Sequence, residues 1–351
     1  MNAKALLLAL VLASPAWSQG FAGLGQGSDG FSNPEPGRSL VFPVDHGPHT
    51  DFRIEWWYLT ANLTGADGAE YGAQWTLFRT AIAPTDAAGW QSPQLWMGHA
   101  ALTSATTHVF AERLARGGIG QAGVTNSPFE AWIDDWQMIS RAVPGADEVS
   151  MLDLTVAAKG FSYALSLQAK GPVVAQGDQG FSVKSASGQA SHYYSQPFYA
   201  VTGQITVDGK PIAVTGQAWL DHEWSSQPLA ADQTGWDWVS LAFDDGARMM
   251  GFRLRDASDG FTSATWIDAD GTPTPIPSGA LKLTPLRTDA VAGRNVPVEW
   301  RVELPAKAVD IIIRTLNPQA FMDTSVPYWE GPIRFDGSHQ GRGYLEMTGY
   351  E

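Results

Sequence analysis

At 351 residues, with 44% hydrophobic and 17% charged side chains, the chain can bury a sizeable core, which excludes wholesale disorder. Thirty-six acids against 22 Lys and Arg leave a formal charge of −14, a balance that disfavours nucleic acid and adhesion to anionic lipid. The sequence contains no cysteine, so disulfides, thiolate metal sites and a lipid anchor on cysteine are excluded.

The first residues read as a secretory signal. Lys4 precedes an apolar run from Ala5 to Ala13, then Pro15 and a small-x-small site at Ala16-Trp17-Ser18. Cleavage after Ser18 makes residues 1–18 a signal peptide and places the mature chain in the periplasm or outside the cell. The run is too short to span a bilayer permanently. Residues 19–44 are rich in Gly, Ser and Pro without periodicity and are expected to drape the surface as a leader.

From residue 45 onward the pattern is β. Short runs such as EWWYLTANL, EYGAQWTLFRTAI, FSYALSLQA, IAVTGQAWL, RMMGFRLR and VDIIIRTL are rich in aromatic and β-branched residues and mostly alternate with period two. Asp-Gly pairs at 67–68, 208–209, 245–246, 270–271 and 336–337 separate such runs, and Gly accepts the positive φ that tight hairpin turns need. One short helix is expected at Phe110–Arg116. A faint echo joins EWWYLTANLTGADGAEYGAQWTLFRT to GWDWVSLAFDDGARMMGFRLRD: acid beside tryptophans, strand, Asp-Gly turn, strand ending in Arg. Half a chain separates the two, which suggests two similar β domains, residues 45–218 and 219–351, rather than a propeller. Barrels would hide the strand edges, and sandwiches would satisfy the same strand count.

Alternation sorts side chains by face. Glu55 shares a face with Trp57, Leu59, Ala61 and Leu63. His222 falls with Ala218, Leu220 and Trp224, whereas Asp221 and Glu223 fall with Gln217 and Trp219. Asp237 falls with Val239, Leu241 and Phe243, opposite Trp236, Trp238 and Ser240. A carboxyl group on an apolar face resists ionising, and one held neutral near pH 7 is a general acid. The plain alternative is an acid paired with Arg53, Arg253 or Arg255. Fifteen tryptophans exceed what packing alone requires and suggest walls that face a ligand. His46-x-x-His49 is a poor metal pair, so no metal and no cofactor are expected. No nucleophile elbow occurs, and no Gly-rich strand-to-helix fingerprint for a nucleotide, because the helices it requires are missing.

EWWYLTANL with His49 upstream, GQAWLDHEW followed by GWDW, and the C-terminal YWEGPIRFDGSHQGRGYLEMTGY together resemble the hydroxyneurosporene synthase family. Those are carotenoid 1,2-hydratases, with secreted AttH-like, lipocalin-like relatives. The resemblance runs from about His46 to the last residue and implies two tandem lipocalin-like antiparallel β-barrels. For the hydratases it implies addition of water to an isolated C=C. Carried onto this chain, it makes Asp237 the proton donor, His222 the group that orients donor or water, and Trp224 with Trp236 or Trp238 the wall facing a carbocation.

Two functions stay open. One is an exported carrier that binds an apolar polyene- or lipid-like molecule in a Trp-rich cavity, with a membrane transporter as the kind of partner it would serve. The other is acid-initiated hydration in that same cavity. The catalytic candidates are Asp237, His222 and Asp221. The ligand-facing candidates are Glu55, Trp56, Trp57, Tyr58, Trp219, Trp224, Trp236 and Trp238.

Overall fold

The computed structural model describes residues 22, 24, 28–85 and 87–350, so the expected signal peptide lies outside the described residues. Apart from short 3-10 turns such as Val44–His46, all regular structure described is β. Strands of the first sheet are Ile54–Gly65 (β1), Glu70–Ala81 (β2), Gln94–Ser104 (β3), His108–Arg116 (β4), Ala122–Asn126 (β5), Phe129–Ile133 (β6) and Trp136–Ser140 (β7). It continues through Met151–Ala158 (β8), Phe161–Ala169 (β9), Val174–Ala175 (β10), Phe181–Val183 (β11), Ala190–Val207 (β12) and Lys210–Ser225 (β13). The second sheet holds Gly235–Phe243 (β14), Arg248–Arg255 (β15), Phe261–Ile267 (β16), Pro273–Ile276 (β17) and Lys282–Val291 (β18). Its remaining strands are Arg294–Leu304 (β19), Val309–Thr315 (β20), Phe321–Met322 (β21), Tyr328–Gly337 (β22) and Gly341–Thr348 (β23).

Both sheets are antiparallel, ordered β4-β3-β2-β1-β13-β12-β9-β8-β7-β6-β5 and β17-β16-β15-β14-β23-β22-β20-β19-β18 along their main paths. The first curls into a barrel and the second into a half-barrel. In each sheet the last long strand returns to pair with the first, β13 with β1 and β23 with β14. The echo in the sequence thus has a topological counterpart: β1–β2 and β14–β15 are the equivalent opening hairpins of the two sheets. Residue 218, where the first domain was expected to end, lies within β13, and the chain leaves the first sheet only after Ser225.

Turn chemistry follows from sequence. Asp208 and Gly209 have φ of 50° and 74°, the paired positive values of the tight turn that matches strand twist between β12 and β13. The helix expected at Phe110–Arg116 is instead part of β4. There β3 offers an unpaired edge, and Val109 and Ala111 pack on the barrel core from one face of an alternating strand. Tertiary pairing overrides the weak helical preference of that stretch.

Three larger apolar cores stand out among the described residues. Trp57, Leu59, Trp75, Phe129 and Leu165 help to fill the barrel, and Val239, Leu241, Trp300, Ile311 and Phe335 help to fill the half-barrel. A third lies between the sheets, where Tyr58, Tyr193 and Trp219 of the first meet Trp238, Phe252 and Tyr344 of the second. The two sheets approach closely at Gly72. A methyl group there would lie 2.5 Å from the Tyr344 hydroxyl and 2.6 Å from Pro332 Cγ. Gly72→Ala is expected to wedge the sheets apart and cost about 1–3 kcal/mol of stability, read from denaturant midpoints. An unchanged midpoint would show that the contact yields freely.

Candidate functional site

Two polar clusters occupy opposite faces of β1 and β13. The first closes one end of the barrel. Alternation turns Glu55, Trp57, His222 and Trp224 inward, beneath the Val44–His46 turn. Glu55 accepts from Arg79 Nε at 2.8 Å, and one of its oxygens lies 2.7 Å from His49 Nδ1 and 2.8 Å from His222 Nε2. Arg79 also donates to Gln94 at 2.7 Å and to the carbonyls of His49 and Phe52 at 2.7 and 2.9 Å. Trp57 donates to the His46 carbonyl at 3.1 Å, and His49 stacks on Trp224 with centroids 3.8 Å apart. Burial alone would raise the Glu55 pKa. Arg79 and the two histidines overcome that and hold it well below the usual carboxylate range. Burial drives His222 down to about 4.

Ligand-type atoms of His49, Glu55 and His222 lie within 4.8 Å of one another, so these three could hold a metal ion. Each is already satisfied by protein partners, which makes the cluster a polar plug held by Arg79. His46 does not join it; its ring turns to the Tyr194 hydroxyl at 2.7 Å and to Asp147 at 3.2 Å.

The second cluster lies between the sheets. On the outer face of the barrel, cross-strand register lines up Ser195, Asp221, Tyr58, Thr76, His99 and Glu112 in one row across six strands. Facing it, the half-barrel presents Phe252, Trp238, Glu346 and Glu330, again neighbours in register. A cleft of about 230 Å3 opens between the two rows, walled by Trp56, Phe78, Met97, Trp236, Trp238, Phe252 and Leu254. Asp221, Glu223, Glu346, Tyr58, Tyr193, His99 and Tyr328 supply polar groups.

The acids of the cleft are in unlike states. Glu223 is paired with Lys184 at 2.7 Å and accepts from the Ser191 hydroxyl. Asp221 accepts from Trp219 Nε1 at 2.6 Å and from the Ser195 hydroxyl, both neutral donors. Burial, helped by the charge of Glu223, pushes its pKa up to about 7 against those bonds. Glu346 accepts from Trp236 Nε1 at 2.5 Å, and burial with the Glu223 charge likewise raises it to about 7. Glu330, bonded by the Tyr58 hydroxyl, is pushed well above the ordinary value by burial and by Glu346 beside it. A carboxyl poised near 7 in an apolar wall can give or take a proton under ordinary conditions.

Of the residues expected from sequence, Trp56, Tyr58, Asp221, Trp236 and Trp238 line the cleft, Glu55 borders it although its carboxylate is held in the plug, and Trp219 supports it through Asp221. Trp57, His222 and Trp224 turn into the barrel plug. Asp237, expected as the proton donor, faces the interior of the half-barrel. Its carboxylate is held by Arg253 at 2.7 and 2.9 Å, Arg255 at 2.5 Å and the Tyr350 hydroxyl at 2.8 Å. Arg253 is its direct cross-strand neighbour, so register alone brings the pair together. A carboxylate gripped by two guanidinium groups is a poor proton donor. Glu346, Glu330, Glu223, Tyr193, His99 and Tyr328 were not singled out from sequence. The signal in YLEMTGY was Glu346 on one face with Tyr344 and Thr348, opposite Leu345 and Met347.

The AttH-like family model matches residues 33–350. A crystal structure of an AttH protein from Nitrosomonas europaea superposes with a TM-score of 0.81 at 34% identity, over 92% of this chain and 100% of that one. The structure of kievitone hydratase from Nectria haematococca is similar in fold, with a TM-score of 0.67 at 17% identity, over 91% of this chain and 97% of that one. No curated protein sequence matches the chain.

Asp237→Asn is expected to cost about 3 kcal/mol of stability, since it leaves two arginines without their counter-charge. Equal urea midpoints for wild type and variant would contradict the ion-pair role. The cleft acids act in the opposite sense. Asp221 and Glu346 rise from ordinary values of 3.8 and 4.5 to about 7. Their contribution to stability is therefore complete below about pH 4 and is lost as pH climbs through about 7. Asp221→Asn/Glu346→Gln should flatten the fall in urea midpoint between roughly pH 5 and pH 8. A slope as steep as wild type would show that these acids ionise normally.

Proposed function

The chain belongs to the AttH-like family, and from that premise we propose that its inter-sheet cleft binds an apolar polyene- or lipid-like molecule. The observation that carries this reading is the cleft itself: about 230 Å3 of space with tryptophan and phenylalanine walls drawn from both sheets. Each barrel interior is packed with its own large side chains, which leaves the inter-sheet surface as the place for a ligand. The apolar N-terminal run supports a location outside the cytoplasm for such a carrier.

A second reading, hydration of an isolated C=C, gains support from Asp221 and Glu346. The neutral carboxyl of either would give its proton to the less substituted alkene carbon. The tertiary cation so formed would face Trp236 or Trp238, whose ring faces attract positive charge. Water would add to the cation, and the proton it sheds would return to the carboxylate. The hydratase named among the structural neighbours shares this fold, and bringing its class of activity to this chain belongs to this second reading.

The test is mass spectrometry of small molecules extracted from the purified protein and from Asp221→Asn/Glu346→Gln. Carriage predicts the same apolar molecule in both. Hydration predicts a hydroxylated molecule in wild type and its counterpart lacking one water in the variant. Apolar molecules that fail to copurify, and fail to bind when added, would remove both readings.

A further inference from the structure

The cations of the cleft bear on what the ligand must look like. Lys184 and Arg79 are the only lysine or arginine side chains among the described residues lining it. Lys184 is spent on Glu223 at 2.7 Å and lies 4.3 Å from the Phe252 ring centroid. Arg79 is spent on Glu55, Gln94 and two backbone carbonyls. The remaining polar lining is acidic or uncharged, Asp221, Glu346, Tyr58, Tyr193, Tyr328 and His99 among them.

We propose that the cleft selects a neutral amphiphile ending in a hydroxyl group and rejects the carboxylate-ended molecule of the same carbon skeleton. This inference rests on the ligand-binding reading above and adds the chemical class of the polar end. A carboxylate entering the cleft would shed its water with no unspent cation to meet it and with Asp221 and Glu346 nearby, a burial that strongly disfavours the ionised form. A hydroxyl meets no such barrier. It donates to a carboxylate and accepts from a carboxyl, so Asp221 and Glu346 can satisfy it in either state. The weakened acidity of these two groups, with pKa raised to about 7, fits an environment built for uncharged partners.

The probes are geraniol, geranate and methyl geranate, ten-carbon isoprenoids short enough for the cleft, titrated into the mature protein by calorimetry at roughly pH 8, where geranate is ionised. Geraniol is expected to bind at least about tenfold more tightly than geranate, with methyl geranate, uncharged but without a donor, between the two. The ester shows that the discrimination is against charge rather than shape. In Asp221→Asn/Glu346→Gln the ratio of geraniol to geranate affinity is expected to fall by about threefold or more, since like-charge repulsion is gone. Geranate binding as tightly as geraniol in wild type would overturn the inference while leaving ligand binding intact. If none of the three binds, the ligand-binding reading fails and this inference falls with it.

Discussion

The antiparallel pairing of Ile54–Gly65 with Lys210–Ser225 is the constraint on which the remainder depends. It joins the beginning and end of the first sheet in a fixed register, with Tyr58 opposite Asp221 and Trp57 opposite His222. Side chains alternate with period two, so one register step would exchange the two faces entirely. Glu55, Trp57, His222 and Trp224 would then point at the half-barrel, and Trp56, Tyr58, Asp221 and Glu223 would enter the barrel. The long paired run, Ile54 to Gly65 against Ser225 to Val214, and the packed interior on one side forbid that slip.

From that one register come two opposite treatments of buried acids. Glu55 enters a cluster that contains Arg79, so its charge is matched and it stays ionised although fully buried. Asp221, two strand positions from Glu223 and on the other face from His222, meets only Trp219, Ser195 and tyrosine. The sheets bury it as thoroughly but provide no guanidinium, and its proton is retained to about pH 7. Asp237 is likewise paired with cations in the half-barrel, where Arg253 and Arg255 stand in the place that Arg79 takes at Glu55. The distinction between a buried acid held ionised and one that keeps its proton here is the presence of a cation within hydrogen-bonding reach.

Much of this was legible in the chain. Alternation assigned Glu55 to the face of Trp57, Asp221 to the face of Trp219, and Asp237 to that of Val239, and the strands keep each assignment. The half-chain echo suggested two similar β domains, and its two members form the opening hairpins of the two sheets. What alternation cannot supply is the identity of each face. The motif DHEW places His222 and Trp224 on one side and Asp221 and Glu223 on the other, and nothing local says which side meets a second sheet. Glu346 and Glu330 were missed for the same reason: Glu346 reaches the cleft, and Glu330 comes to lie beside it, only through the pairing of β22 with β23 and the packing of one sheet on another. Arg253 was named as an alternative partner for an acid, and its register with Asp237 made that alternative the outcome.

Large aromatic side chains explain why the space lies between the sheets rather than inside them. Trp57, Trp75 and Trp136 are fully buried in the barrel and Trp300 and Trp329 in the half-barrel, where close-packed interiors leave little room. Trp56, Trp236 and Trp238 stand on the outer faces, where each wall is anchored by its own ladder of backbone hydrogen bonds. Two walls fixed independently need not interdigitate fully, and a gap between them breaks no ladder. Asp221 belongs to one wall and Glu346 to the other, so the packing that excludes water from the gap also sets how strongly each carboxyl holds its proton. In this protein the closeness of the sheets and the acidity of the cleft are one property, fixed at contacts such as Gly72 against Tyr344.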